Sequence, residues 1–326
     1  MYLGIDIGTS SVKAILADDN GDVIECASSP LSVSRLRTLW SEQDPTDWWS
    51  ATNNAVSALD LRRRRAVKAI GLSGQMHGAT LLGSDNRLLR PAILWNDGRS
   101  AEQCAALEAN IPDLGQITGN RAMPGFTAPK LQWVRENEPD VFEQIRTVLL
   151  PKDYVRLQMT GELASDMSDS AGTLWMDVGK RDWSDVMLAA TGLTRTHMPQ
   201  LFEGSEFTGE LRAELAEAWG MKRVPVVAGG GDNAAGAVGV GVVRPGDAFL
   251  SLGTSGVLFL ANGGYTPNPG GGVHSFCHAL PGRWHQMSVI LSAASCVDWA
   301  VKLCGMPDAA AMFAAIETRD APAATE

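Results

Sequence analysis

Val224-Pro225-Val226-Val227-Ala228-Gly229-Gly230-Gly231-Asp232-Asn233-Ala234-Ala235-Gly236-Ala237-Val238-Gly239 is the stretch from which the rest of this chain can be read. It begins as a short apolar, β-branched run, the pattern of a buried strand. Three glycines follow, then an Asp-Asn pair, then small residues able to form a helix. A strand that feeds a glycine turn into a helix start lets backbone approach a ligand closely. The single carboxylate at the head of that helix, Asp232, is a candidate to take a proton from a substrate hydroxyl. The competing reading is that Asp232 or Asn233 only caps the helix. The stretch alone leaves both open.

Working outward, two other segments resemble each other. Residues 2–7, Tyr-Leu-Gly-Ile-Asp-Ile, read as a strand, Gly8-Thr9-Ser10-Ser11 as a tight turn, and Val12 to Leu16 as a returning strand. A third strand is expected from Val23 to Ala27. Ala248 to Leu252, Gly253-Thr254-Ser255-Gly256 and Val257 to Leu260 repeat the form: apolar strand, Gly-Thr-Ser tip, apolar strand. Turns rich in backbone N–H groups and hydroxyls are anion clamps, and two of them facing each other could grip a polyphosphate. The alternative is a pair of unrelated hairpins with ordinary turn residues. No Gly-x-x-x-x-Gly-Lys-Ser/Thr motif is present, so the chain is not a P-loop protein.

Between these landmarks, Asp44-Pro45-Thr46-Asp47 carries the signals of a helix start, with Pro45 at the first helical position. That helix is expected to run to about Arg64. Arg62-Arg63-Arg64-Arg65 then reads as a solvated, basic helix end. Val67 to Ser73 reads as a strand entering Gly74-Gln75-Met76-His77-Gly78. Helices are expected at 100–110, 128–138, 152–159, 184–192 and 209–219, and a strand at 224–228. His274-Ser-Phe-Cys-His278 has histidines four apart, but after a hairpin it reads as a strand rather than a zinc site. Leu291 to Leu303 reads as a helix, and the chain closes on residues 319–326. The order of elements is that of an α/β protein with some antiparallel pairing.

Composition narrows the function. A chain of 326 residues has room for two domains, and 45% hydrophobic residues supply a normal core. The net charge of −10, from 27 basic and 37 acidic residues, disfavours nucleic acid and anionic membranes as partners. Five cysteines without framework spacing fit reduced thiols and a cytoplasmic location. No signal segment opens the chain, and no apolar run approaches the ~18 residues of a membrane span.

Taken together, these motifs resemble the FGGY carbohydrate kinases, which have the sugar-kinase/actin/Hsp70 (ribonuclease H-like) fold. Asp6-Ile-Gly8-Thr9-Ser10 resembles the family's first phosphate motif, Ser251-Leu-Gly253-Thr254-Ser255-Gly256 its second, and Gly229-Gly-Gly-Asp232-Asn233 its catalytic-base loop. Gly125-Phe-Thr127-Ala-Pro-Lys130-Leu-Gln-Trp133-Val-Arg-Glu-Asn137 resembles its N-terminal signature. The motifs stand in family order from residue 1 to about 305. Gly74-Gln75-Met76-His77-Gly78 has the form found in members that phosphorylate D-xylulose. Glycerol kinases place Arg-Glu where Met76-His77 stand and carry a tyrosine near Gly125, so the glycine is expected to leave room for a longer polyol. Leu94-Trp95-Asn96-Asp97-Gly98-Arg99 resembles a further segment near the sugar.

The resemblance implies ATP-dependent phosphorylation of D-xylulose to D-xylulose 5-phosphate, with Mg²⁺. Asp232 would be the base. Met76, His77, Trp95, Asp97 and Asn233 would contact the sugar. Gly8, Thr9, Ser10, Gly253, Thr254 and Ser255 would contact the phosphates, and Asp6 would hold the metal through water. Trp95 and Lys130 could equally be structural. A homodimer is the assembly to look for. The expected division is an N-terminal domain over 1–240, complete, and the start of a C-terminal domain over 241–326, partial. The family's second signature and its adenosine-holding loop are not in this sequence. A fragment, a prematurely ended reading frame, or completion by another chain would each account for that. The other readings are a sugar-binding fragment without kinase activity and a kinase for another ketose or polyol, such as gluconate.

Overall fold

Alternation of apolar residues builds the first sheet in this computed structural model, which describes residues 1–253 and 255–317. In strand β1 (Tyr2–Ile7) Leu3, Ile5 and Ile7 are buried, and in β2 (Ser11–Ala17) Val12, Ala14 and Leu16 are. The two pair antiparallel, and β3 (Val23–Pro30) adds to β2. Helix α1 (Pro45–Ala58) starts where the sequence signals it, with the Asp44 side chain accepting from the Thr46 N–H. It presents Trp48, Ala51, Ala55 and Val56 to the core, one stripe at helical spacing.

The helix stops earlier than expected. Asp60 accepts the N–H groups of Arg62 and Arg63 and so starts a separate turn over Leu61–Arg64. The arginine run is not all solvated, either. Arg64 is buried, and its guanidinium donates to the carbonyls of Leu59 and Trp219.

Strand β4 (Ile70–Gly74) pairs parallel to β1. Helices α2 (Thr127–Asn137) and α3 (Pro151–Thr160) follow in a helix-rich middle. Strands β5 (Phe207–Glu210) and β6 (Pro225–Val227) pair antiparallel, with β6 parallel to β4. A helix was expected to begin at 209, but pairing with β6 holds 207–210 extended and the helix spans Ala213–Ala218. The sheet has seven strands, in the order β5-β6-β4-β1-β2-β3 with Gly230–Gly231 also on β4. Helix α4 (Asp232–Gly239) follows Gly230–Gly231 at the end of β4.

The second hairpin is as expected. Strands β7 (Ala248–Leu252) and β8 (Gly256–Asn262) join β9 (His274–Cys277) and β10 (Trp284–Ile290) in an antiparallel sheet of order β7-β8-β10-β9. Its inner side chains Phe259, Ala261, Phe276 and Met287 belong to the same core as Leu131, Val134 and Trp175 of the helix-rich middle. On the same sheet and after it, Leu250, Leu252, Leu258 and Ile290 are exposed, as are Trp299 and Leu303 of α5 (Ala294–Leu303). Helix α6 (Ala309–Glu317) ends the described part. All five cysteines are free thiols. Among the described residues no helix is long and apolar enough to cross a membrane.

Candidate active site

The candidate residues gather where the parallel strands β1 and β4 end, the side of an open α/β sheet on which ligands bind. Asp6 lies opposite Ser73 in the β1–β4 register, and the Ser73 hydroxyl donates to its carboxylate at 2.7 Å. The turn after β1 closes with the Gly8 N–H on the Ser11 carbonyl at 3.0 Å. Ser10 is exposed at the tip. The Thr9 hydroxyl donates to the Gln75 side-chain oxygen and accepts from the Trp95 indole, each at 3.0 Å. The Gln75 amide donates to the Gly8 carbonyl and to Gln43, whose own amide donates to the Thr9 carbonyl at 2.7 Å. Trp48 of α1 completes the set by donating to Gln43. The first tip is therefore tied by side chains to the Met76-His77 loop. Trp95 has a definite place in this network, whereas Gln43 carried no signal in the sequence and Gln75, although inside the Gly74–Gly78 motif, was given no role there.

His77 has φ 69°, a left-handed conformation that is uncommon for a residue with a Cβ. Its Nδ1–H donates to the Gly172 carbonyl at 2.6 Å, because a carbonyl can only accept. The neutral ring then keeps a lone pair on Nε2, free to accept from a hydroxyl. Burial, aided by the nearby Lys130 charge, pushes the imidazole down to about 3, so the ring is neutral at physiological pH. The His77 carbonyl receives the Lys130 ammonium at 2.9 Å and the Thr127 hydroxyl at 3.2 Å, both from the first turn of α2. Lys130 is wholly buried, and burial drives its pKa well below the usual lysine value. It is a support for His77. Met76 is buried against the glycine loop: a Cβ on Gly231 would lie 3.0 Å from its Cγ.

Two residues take other parts than the sequence indicated. The Asp97 carboxylate is fully engaged, by the Ser41 N–H at 2.6 Å and by the backbone N–H and guanidinium of Arg99 at 2.7–2.9 Å. Buried and closed in this way, it holds the 95–99 loop and has no oxygen left for a sugar hydroxyl. Gly125 is required by backbone: a Cβ there would lie 2.6 Å from the Trp95 carbonyl oxygen. The close approach of two loops explains the glycine without invoking space for a longer substrate.

The loop after β6 has the form its sequence predicts. Gly229 has φ 75°, and a Cβ on it would fall 1.8 Å from the Leu72 carbonyl oxygen, so no other residue fits. Gly230 and Gly231 pair with Ser73 and Gly74. Asp232 is the first residue of α4, whose N-cap is Gly231. Its carboxylate accepts only from its neighbour, the Asn233 N–H at 2.7 Å and the Asn233 amide at 2.9 Å. It is not the N-cap residue; it holds one first-turn N–H, that of Asn233, and both bonds fall on a single carboxylate oxygen, leaving the other oxygen to face the sheet end. The side chain is open to water at the sheet end yet enclosed by surrounding protein. That enclosure and the Asp6 charge outweigh the Asn233 donors and raise its pKa to about 6.

Of the second tip, Gly253 is exposed, its N–H donating to the Ser255 carbonyl and its own carbonyl receiving the Ala294 N–H at the head of α5. Thr254 lies outside the described residues, as do residues 319–326. The contacts above bring Asp6, Gly8, Thr9, Met76, His77, Trp95, Asp232 and Asn233 together around one sheet end, while Gly253 and Ser255 stand on the second sheet.

Residues 1–239 match the family model described as the N-terminal domain of the FGGY family of carbohydrate kinases. The chain belongs to that family. It is 62% identical over 321 residues to a xylulose kinase of Escherichia coli strain K12, covering 98% of this chain and 66% of that protein. A "xyloylose kinase" from Brucella ovis superposes with TM-score 0.92 at 58% identity, over 94% of this chain and 64% of that one. A gluconate kinase from Lactobacillus acidophilus also superposes with TM-score 0.92, at 21% identity over 98% of this chain and 66% of that one. That likeness shows the fold alone. This FGGY chain spans about two thirds of the length of the relatives it matches.

Proposed function

We propose that this FGGY chain is the sugar-holding and phosphate-cradling part of a kinase that transfers the γ-phosphoryl group of ATP to D-xylulose, giving D-xylulose 5-phosphate and ADP. The observation that carries this is Asp232, a carboxylate with one oxygen unbonded and a pKa raised to about 6, on a glycine loop packed against Met76 of the Met76-His77 loop. The identity to xylulose kinases supports the choice of sugar. In this reading His77 Nε2 accepts from a sugar hydroxyl, Met76 packs on the carbon chain and Asn233 orients the terminal hydroxyl. Asp232 takes the proton of that hydroxyl while its oxygen bonds to the γ-phosphorus and the bond to the ADP oxygen breaks. Phosphoryl transfer asks for alignment and charge neutralisation more than covalent help. Gly8, Thr9 and Ser10 of the first tip and Gly253, Thr254 and Ser255 of the second would cradle the phosphates. The chain divides on this reading at residue 240.

Mg²⁺ bound to phosphate oxygens and water needs only one or two protein carboxylates. Asp6, half-buried, close enough to Asp232 to influence it, and held at one oxygen by Ser73, fits that requirement. The metal would neutralise charge on the transferring phosphate.

The test is phosphate transfer from MgATP to D-xylulose by the 326-residue chain, with gluconate, glycerol and D-ribulose as competitors. Turnover highest on D-xylulose is expected. Preference for another acceptor overturns the sugar assignment. Saturable D-xylulose binding without transfer would make this chain a sugar-binding portion only, a reading its share of the relatives' length keeps in view. The profile of kcat/KM should rise with pH through a midpoint near 6, since the base must be unprotonated. A flat profile from pH 5 to 7 would count against Asp232. Lys130→Met should raise the D-xylulose Kd by about tenfold, because His77 loses the donor on its carbonyl; calorimetry with a melting control checks this.

A further inference from the structure

Behind the Asp232 loop lies a cluster of charge sealed from solvent. The Lys152 ammonium is within 3.0 Å of three carboxylates, Asp153, Asp166 and Asp169, and Arg156 lies 3.3 Å from Asp153. All five are fully buried. Three acids face two bases, and burial raises Asp169 well above the usual carboxylate value. An ion cluster of this kind is a poor source of stability compared with packed apolar residues, so its outward connections are what call for explanation.

Arg156 also donates to the Thr208 hydroxyl, and Asp153 accepts from Ser165, but several of the connections reach one loop. The two terminal nitrogens of Arg156 donate to the carbonyls of Val227, at 2.9 Å, and Ala228, at 2.5 Å. The Ser168 hydroxyl donates to Asp166 at 2.5 Å and accepts the Gly231 N–H at 3.1 Å. Three peptide groups in the five residues before Asp232 are thereby fixed by side chains rooted in the charge cluster. Gly229, between them, has the left-handed turn that swings the chain from β6 to α4.

We infer that Arg156 and Ser168 are positioning residues which, anchored by the Lys152 cluster, aim the glycine loop so that Asp232 meets the acceptor hydroxyl. This rests on the reading of Asp232 as the base. It differs from a general structural role in a way that can be measured, because a neighbour supplies the control. Ser170 is equally buried and belongs to the same short helix, Met167–Ser170, but its hydroxyl reaches Ser165 at 2.9 Å and no part of the loop.

The variants are Ser168→Ala, Arg156→Lys and, as control, Ser170→Ala, each in the 326-residue chain. Amide hydrogen exchange over residues 229–234 should quicken at least tenfold in Ser168→Ala and Arg156→Lys, and less than threefold in Ser170→Ala at a similar melting temperature. In transfer assays kcat should fall at least tenfold for the first two with KM for D-xylulose within threefold, and the Ser168→Ala loss should vanish in an Asp232→Asn background. Equal exchange in Ser168→Ala and Ser170→Ala overturns the inference, as does a kcat loss that persists unchanged without Asp232. Exchange is read whether or not the chain transfers phosphate. A silent assay in the parent chain therefore counts against the kinase reading alone, and exchange decides the positioning role.

Discussion

Asp232→Asn is expected to lower phosphate transfer by about 10²–10⁴-fold, the usual contribution of a positioned general base, while D-xylulose affinity stays within a few-fold. The substitution keeps the shape of the side chain and removes the group that takes the proton. Little else should change. Gly231, not Asp232, is the N-cap residue of α4, and an asparagine at 232 keeps a side-chain oxygen for the Asn233 N–H that the carboxylate now accepts. The pH dependence supplies a second signature. In the parent chain the rise through about 6 reports Asp232, and in the variant that rise should be gone. Initial rates with MgATP, set beside calorimetric sugar binding, separate the two effects. A variant that keeps most of its turnover, or that keeps the same midpoint near 6, removes Asp232 from the role of base. Loss of sugar binding with loss of turnover would instead show that the carboxylate holds the ground state.

The parts of this molecule that sequence reveals are those set by near neighbours. Two short apolar runs about a Gly-Thr-Ser tip predict each hairpin, in residues 2–16 and 248–260; in the first, Leu3, Ile5 and Ile7 and then Val12, Ala14 and Leu16 bury one face. The Gly229-Gly230-Gly231-Asp232 pattern predicts a turn and a helix start, and the structure requires the glycine at 229 because a Cβ there would fall 1.8 Å from the Leu72 carbonyl oxygen. Helix α1 begins at Pro45 for reasons contained in four residues. Its end was misjudged because Asp60 offers the backbone N–H groups a better partner than continued helix, and a periodic apolar pattern does not register such competition. Strand β5 was misread for another reason. Phe207–Glu210 is extended because β6 pairs with it, and β6 lies beyond an intervening helix.

Supports of the site were the hardest to see. Lys130 reaches the His77 carbonyl across 53 residues, Ser168 reaches Gly231 across 63, and Arg156 reaches Ala228 across 72. None of these pairs has a local spacing rule. Lys130, Lys152 and Arg156 look like ordinary charged positions on helices until the fold encloses them. The converse error befell Asp97 and Gly125. Resemblance to a family segment near the sugar suggested substrate contact for Asp97, and the contrast with a tyrosine suggested room for a longer polyol at Gly125, whereas one closes on Arg99 and the other makes way for the Trp95 carbonyl. Chemistry-bearing residues stand out by motif, and the residues that orient them stand out only by burial.

Lys152→Met should therefore be the most damaging single substitution for stability, lowering it by about 3–5 kcal/mol, as when one partner of a buried ion pair is removed. Three buried carboxylates would lose the cation that lies within 3.0 Å of each. Arg156 would remain, but it lies 3.3 Å from Asp153 only, among the three. The destabilisation caused by the substitution should itself depend on pH. In the parent, the carboxylates hold the Lys152 ammonium above its usual pKa. That contribution is complete at all pH below the unfolded lysine value of about 10.4 and is lost only as pH rises through the higher folded value, so it is constant between pH 5 and 8. In the variant the orphaned carboxyls bind protons more tightly folded than unfolded. Their penalty should therefore shrink as pH falls from about 8 toward their unfolded values near 4. Urea denaturation at pH 8, 6.5 and 5 reads both effects. A loss below about 1 kcal/mol, or a difference between the chains that widens toward acid, would mean that the three carboxylates are not held by Lys152 in the way their geometry indicates.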